Sequence, residues 1–180
     1  FQNKDGGFGN ALEPDFFNLN SSPITTNDAL FSLYRVNALN RDYDIVKGII
    51  KYLESHDSFD EDKKRWMFAI DSNNDNPHAI WWEKKGDGIS SFNPSISLAT
   101  FMVCYGNRTP LYEGIVKDGF EYLGNTEKVS GDDLNCFLLA YELLIMNKIN
   151  DVVDLNLFKD LLCNAINNTI CKDVEKYGVE

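Results

Sequence analysis

The chain has 180 residues, of which 43% are hydrophobic, and its formal net charge is −11. That length allows one domain with a sizeable core and is too short for two large ones. The acidic excess argues against a nucleic-acid backbone or an anionic membrane as partner, because both are negatively charged. No apolar run approaches the roughly 20 residues that cross a bilayer, so we expect no membrane insertion.

The chain begins at Phe1 instead of methionine, so we expect residues 1–180 to form a single domain of a longer chain. Its four cysteines form no C-x-x-C pair, and each lies within or at the end of a helical apolar pattern. This usage favours buried, reduced thiols in a cytoplasmic protein. A bridge between Cys163 and Cys171 is not expected, because eight residues on one helix span roughly 12 Å.

Six helices are predicted from start signals and apolar spacing. The first begins at Ser22-Pro23 and ends near Asn37, and the second covers Arg41 to Glu54. The remaining four begin at Asn93-Pro94, Thr109-Pro110, Ser130 and Asp154.

The predicted helices alternate in character along the chain. The third and fifth are apolar on most faces, which is typical of buried helices, whereas the second, fourth and sixth carry one apolar stripe. The start signals Asn93 and Ser130 are 37 positions apart, within the usual period of helix-pair repeats. The pattern predicts an all-α fold of helical hairpins stacked around a centre, with inner and outer helices.

A tryptophan-rich insertion, about residues 56–92, interrupts this spacing. It holds all three tryptophans and both histidines of the chain. A short strand is predicted at Trp66–Ile70, followed by a turn-rich loop at Asp71–Pro77.

The first nine residues, from Phe1 to Gly9, contain the pattern Gln2-x-x-x-Gly6-x-Phe8. Gly6-Gly7 permits a tight turn, the glutamine amide can satisfy backbone groups at a helix end, and Phe8 can pack beneath. We interpret this segment as a brace between hairpins. It is not a phosphate loop, because the Gly-Lys-Ser/Thr sequence is missing.

This pattern resembles the QW-type repeat of the terpenoid cyclases and their relatives, the protein prenyltransferases. A degraded second copy is suggested at residues 86–92. The resemblance implies an α/α toroid, of which this chain forms part of the barrel, and a structural role for Gln2, Gly6 and Phe8. It also implies an apolar or prenyl ligand in a central cavity.

The catalytic signatures of that family are missing. The nearest match to its Asp-x-Asp-Asp proton donor is Ser130-Gly131-Asp132-Asp133, which lacks the first aspartate, and the sequence favours a helix-start role for both acids. A zinc set of Asp133, Cys136 and His78 lacks the usual spacing, so no metal and no cofactor are expected.

Two clusters remain as candidates for a site. Glu13 and Asp15 lie on one loop, where paired carboxylates can perform acid–base work, although a solvated loop is the simpler interpretation. His78 and Glu83 flank Trp81 and Trp82, which we interpret either as packing or as an aromatic wall for a sugar or apolar ligand.

Three functions therefore stay open, and whether the chain is an enzyme is not decided by its sequence. The first is a cyclase- or prenyltransferase-like protein that binds or acts on a prenyl ligand. The second is a non-catalytic binding or scaffold module. The third is a polysaccharide-acting enzyme on the same fold, because one fold hosts unrelated chemistries.

Overall fold

The computed structural model describes residues 1–170 and Glu175. Within those residues the fold is all-α apart from one short antiparallel hairpin, in which β1 (Phe59–Asp60) pairs with β2 (Arg65–Trp66). The six helices are α1 (Pro23–Arg35), α2 (Asp44–Glu54), α3 (Ser95–Tyr105), α4 (Pro110–Asn125), α5 (Gly131–Met146) and α6 (Leu155–Thr169).

Four of the predicted helix starts are confirmed by capping contacts. In each case the cap side chain accepts a hydrogen bond from a backbone N–H of the first turn, and the four caps are Ser22, Thr109, Ser130 and Asp154. These contacts satisfy backbone donors that have no partner within the helix.

Three predicted helix boundaries were wrong. The third helix begins at Ser95 after Pro94, and Asn93 is not its cap. The second helix begins at Asp44 instead of Arg41. Arg41 lies in the turn before the helix, where its guanidinium donates to the Tyr105 and Gly106 carbonyls at the end of α3. The first helix ends at Arg35, and Asn37 adopts a left-handed conformation with φ of 54°.

The insertion contains less strand than predicted. Only Arg65 and Trp66 belong to β2, because the backbone N–H groups of Phe68 and Ala69 turn away to donate to the Gly88 carbonyl. The segment predicted as a loop forms a 3₁₀ helix at Asp71–Asp75, and a second 3₁₀ turn covers Ile80–Trp82.

Burial follows the predicted alternation. Ten of the eleven residues of α3 are buried, and α5 is buried on most of its faces. In contrast, α2, α4 and α6 each bury a single stripe. Helix α3 packs against α2, α4 and α5, and α6 packs against both α4 and α5. Together these contacts build one hydrophobic core that runs from α1 to α6.

The cysteines do not all lie in this core. Cys136 is buried and Cys104 is half-buried, but Cys163 is exposed on α6, which corrects the prediction that all thiols are buried. These three described cysteines are free, and Cys171 lies outside the described residues.

A matched pair of glycines in α4 tests the packing of α3 on α4. A Cβ at Gly119 would lie 2.7 Å from Ile96 Cδ1, whereas a Cβ at Gly114 would meet nothing within 4 Å. We expect Gly119→Ala to lower the free energy of unfolding by about 1 to 3 kcal/mol through overpacking. Gly114→Ala should raise it by about 0.5 to 1 kcal/mol, because alanine has the higher helix propensity. Urea unfolding of both variants measures the difference, and equal changes would contradict this packing.

Candidate functional site

An open cavity of about 670 Å³ lies where α1, α5 and the insertion meet. One face of α1 forms a wall, because its lining residues recur at helical spacing: Ile24, Asn27, Asp28, Phe31, Ser32 and Arg35. Helix α5 contributes Asp132, Asn135 and Cys136, and the insertion contributes Phe68, Trp81 and Trp82. Glu13 and Asn93 complete the lining.

Three acidic side chains converge in this cavity, and they come from distant parts of the sequence. Glu13 lies on the N-terminal loop, Asp28 on α1 and Asp132 in the first turn of α5. Burial is the main cause that raises the pKa of Asp28 to about 8, with further contributions from the charge and hydrogen bond of Glu13 and the charge of Asp132. Burial also raises the pKa of Glu13, although its hydrogen bond with Asp28 opposes that shift.

The environment of the Asp28 carboxyl group favours its neutral form. Its Oδ2 atom is buried, and no N–H or O–H group of the described residues donates to it. A buried carboxylate oxygen without a donor is costly. The neutral acid avoids this cost, because it carries its own proton and can donate it to the Glu13 carboxylate. Burial and the neighbouring Glu13 carboxyl therefore both favour the neutral form of Asp28, whose pKa is raised to about 8.

The floor of the cavity is a buried polar network that joins three helices. Ser97 of α3 donates to Asn27 Oδ1, and Asn27 Nδ2 approaches Cys136 Sγ at 3.6 Å. Cys136 Sγ in turn donates to Asn93 Oδ1 at 3.4 Å. Burial raises the pKa of the Cys136 thiol to about 12, which favours the protonated form of this sulfur over the nucleophilic thiolate at neutral pH.

The two predicted tryptophans line the cavity in different ways. Trp82 is fixed, because its indole Nε1 donates to Asp15 Oδ1 at 2.7 Å and its ring stacks between Phe16 and Phe68. Trp81 is 60% exposed at the cavity and has no such partners among the described residues. The exposed indole is therefore available to a ligand, whereas Trp82 forms a rigid wall.

The structure separates the other predicted site residues by role. Glu13 lies in the cavity, and Asp15 serves it indirectly by holding Trp82. His78 lies outside the lining, where its Nδ1 contacts the Asn76 carbonyl, and Glu83 is an exposed residue that pairs with Lys85. Of the two loop carboxylates predicted as candidates for acid–base work, only Glu13 lies in the cavity lining.

The two acids at the start of α5 also have different roles. The Asp133 carboxylate accepts hydrogen bonds from the Ser91 and Ser130 hydroxyls, and its backbone N–H donates to Ser130 Oγ at the helix cap, so it has the structural role that the sequence favoured. Asp132 lies in the first turn of α5, as predicted, but it is also exposed at the cavity, which the helix-start interpretation did not predict. Among residues 1–170 and 175, no group of three His, Cys, Asp or Glu side chains is placed to hold a metal ion.

Sequence reasoning missed Asp28, and a signal for it was present. Residues 25–28 read Thr-Thr-Asn-Asp, a polar run in the first half of a helix whose first turns are largely buried. Polar residues on the buried face of a helix require partners, and here those partners are the cavity and its neighbouring acids.

The N-terminal segment lies away from the cavity and braces α1 and α2. Gln2 Nε2 donates to the carbonyls of Gly6 and Ile45, and Ile45 belongs to the first turn of α2. The Phe8 N–H donates to Thr26 Oγ1 of α1, and its side chain is buried. These contacts provide the bracing role that was predicted for the segment.

Comparison with known proteins found no relative of this chain. No family model matches the chain, no curated protein matches its sequence, and no solved structure matches its fold. The resemblance to the QW-type repeat therefore depends on the N-terminal pattern alone. In the described residues, no helix is long and apolar enough to cross a membrane.

Proposed function

We propose that the cavity is the active site of an acid–base enzyme that acts on a hydroxyl-rich ligand of the carbohydrate class. The observation that carries the proposal is the Asp28 carboxyl group, whose pKa is raised to about 8 beside Glu13 and within the influence of Asp132. A carboxylic acid that stays neutral at pH 7 can protonate a leaving oxygen, whereas an ordinary carboxyl group has already lost its proton.

The chemistry best suited to this arrangement is hydrolysis of a glycosidic bond. Asp28 donates its proton to the glycosidic oxygen while the bond from that oxygen to the anomeric carbon breaks. Asp132 takes a proton from a water molecule, and the oxygen of that water forms the new bond to the anomeric carbon. The net change is the addition of one water, and solvent returns the proton from Asp132 to Asp28. Glu13 is a positioning residue whose charge and hydrogen bond add to the effect of burial in keeping Asp28 neutral.

The composition of the cavity supports a sugar over a purely apolar ligand. Asn135 carries an exposed amide group on the α5 wall, and an amide both donates to and accepts from sugar hydroxyls. Trp81 offers a flat, exposed ring on which the apolar face of a sugar can stack. A few polar groups beside an aromatic wall are the usual composition of a specific small-molecule site.

A second candidate is an apolar or prenyl ligand held in the centre of an α/α toroid. Its support is the aromatic lining of Phe31, Phe68, Trp81 and Trp82, the alternation of buried and one-sided helices, and the QW-like N-terminal segment. The acids and amides of the cavity favour the carbohydrate proposal over this one. A binding module without catalysis would need the same aromatic wall but not a neutral Asp28.

Release of new reducing ends from a panel of neutral and acidic oligosaccharides tests the proposal. We expect turnover by the wild type and a loss of about 10² to 10⁴ in kcat for Asp132→Asn, because general acid–base catalysis contributes that much. Trp81→Ala should raise KM more than it lowers kcat. Asp160→Asn, an exposed acid on α6, is the matched control and should change neither.

The outcome that would refute the proposal is equally specific. If no oligosaccharide is cleaved and none stabilises the protein, while a prenyl diphosphate raises Tm, the second candidate replaces the first. A ligand at 100 times its Kd stabilises by about 2.7 kcal/mol, which is a shift of several degrees for a domain of this size.

A further inference from the structure

Arg35 differs from the other arginines of the chain. Arg41 donates to backbone carbonyls, Arg65 lies over the Phe92 ring, and Arg108 pairs with Glu113 and Asp151. Arg35 has no ion pair or hydrogen bond with any residue in the described part of the chain, yet it lines the cavity. Arg35 is exposed in the last turn of α1, so its guanidinium is accessible to a ligand that enters the open cavity.

Helix α1 sets the backbone spacing between Arg35 and the proposed proton donor, Asp28. Arg35 follows Asp28 by seven residues on the same face of α1, which separates their Cα atoms by roughly 10 Å along the helix. Asp28 lies near Glu13 and Asp132, so the acidic groups gather at one end of the α1 wall. The charge of the cavity lining therefore changes sign along α1, with acids at one end and a cation at the other.

A neutral sugar would gain little from this arrangement, but an anionic sugar would be oriented by it. An anionic group beside Glu13 and Asp132 would be repelled, whereas the same group beside Arg35 would form charge-assisted hydrogen bonds. The planar guanidinium suits carboxylates and sulfate esters, because it donates two parallel N–H groups to paired oxygens.

We propose that Arg35 binds an anionic group of the substrate, either a carboxylate or a sulfate ester, and that the substrate is therefore an acidic glycan. This inference rests on the function proposed above, since it names the substrate class of the same cavity. Arg35 acts as a specificity-determining residue, and it takes no part in the proton transfers.

Calorimetric titration of the full chain tests the inference, with Asp28→Asn as the background so that substrate is not consumed. The probes are an oligogalacturonide, a sulfated galactan oligosaccharide and a neutral galacto-oligosaccharide of the same length. We expect at least one anionic probe to bind more tightly than the neutral one. Adding Arg35→Ala should weaken that anionic probe about ten- to hundredfold, because hydrogen bonds to charged groups contribute that much.

The controls separate charge at the cavity from charge in general. Arg35→Lys should weaken binding less than Arg35→Ala, because it keeps the charge and loses the paired donors. Lys159→Ala removes an exposed cation on α6 and should leave the affinity unchanged. The relative affinity of the carboxylate and sulfate probes identifies which anion is bound.

Three results would overturn the inference: no binding of either anionic probe, equal binding of the neutral one, or equal weakening of all probes by Arg35→Ala. The failure of the two proposals is distinguishable. If Asp132→Asn abolishes glycan cleavage while Arg35→Ala does not discriminate, the substrate class is wrong and the acid–base function stands. If an anionic probe binds through Arg35 but no glycan is cleaved, the catalytic function is wrong and the anion subsite stands.

Discussion

Replacing Asp28 with asparagine should stabilise the protein at pH 8 and inactivate it. The folded-state pKa of Asp28 is about 8, well above the ordinary aspartate value of 3.8, so the folded state holds this proton more tightly than the unfolded chain. The contribution of Asp28 to stability is therefore fully present below about pH 4 and is lost as the pH rises to 8. Asparagine has the same shape, carries no charge, and can still donate to Glu13.

The expected difference is large enough to measure by thermal unfolding. Between pH 5 and pH 8, wild-type stability relative to Asp28→Asn should fall by on the order of 4 kcal/mol. For a domain of this size that corresponds to about 10 °C in Tm. The difference in Tm between the variant and the wild type should thus be about 10 °C larger at pH 8 than at pH 5. Asp160→Asn removes an exposed acid and should show no such pH dependence.

The same substitution removes the proposed proton donor, so cleavage should fall by about 10² to 10⁴. In the wild type, activity should decline as the pH rises through about 8, because Asp28 then loses the proton that it must donate. A variant that is both more stable and inactive is the pattern expected when a functional site stores an unfavourable charge arrangement. If Asp28→Asn changed Tm equally at both pH values, the neutral Asp28 would be ruled out.

Gly6→Ala should produce the largest loss of stability at the N-terminal brace. Gly6 has φ of 101°, and a Cβ there would lie 2.0 Å from the Gly48 carbonyl oxygen of α2. The left-handed conformation costs an alanine roughly 1 to 2 kcal/mol, and displacing the backbone of α2 adds about 1 to 3 kcal/mol. We expect Tm to fall by roughly 5 to 15 °C.

Gly86→Ala is the matched control for this prediction. Gly86 also has a positive φ, of 60°, but a Cβ there would meet nothing within 4 Å. Its cost should therefore be limited to the backbone conformation, so the difference between the variants isolates the contact of Gly6 with α2. Equal losses in the two variants would show that the segment does not brace α2. Because residues 1–9 do not line the cavity, the folded fraction of Gly6→Ala should keep its activity.

The helices could be predicted from the sequence because their signals are local. A cap residue and a proline at the first helical position lie next to each other in the chain, as at Ser22-Pro23 and Thr109-Pro110. The boundary at Arg41 was wrong for the opposite reason. The Arg41 side chain donates hydrogen bonds to the carbonyls of Tyr105 and Gly106, which are more than 60 residues away in the sequence. No local sequence pattern indicates a contact at that distance.

The site was only partly predictable for the same physical reason. Glu13 and the two tryptophans could be selected by residue type, but the property that makes Asp28 a candidate acid comes from its surroundings. Those surroundings combine Glu13, fifteen residues earlier, with Asp132, more than a hundred residues later. A pKa shift of this kind depends on burial and on long-range charges, neither of which is present in the local sequence.

The measurement that tests the account most directly is the titration of the Asp28 side-chain carboxyl carbon by NMR, in the wild type and in Glu13→Gln. We expect a transition near pH 8 in the wild type. We also expect a lower Asp28 pKa in the variant, because the charge of Glu13 is one of the causes that raise it. A wild-type transition near pH 4, the usual value for an aspartate, would contradict the neutral acid and with it the proposed function.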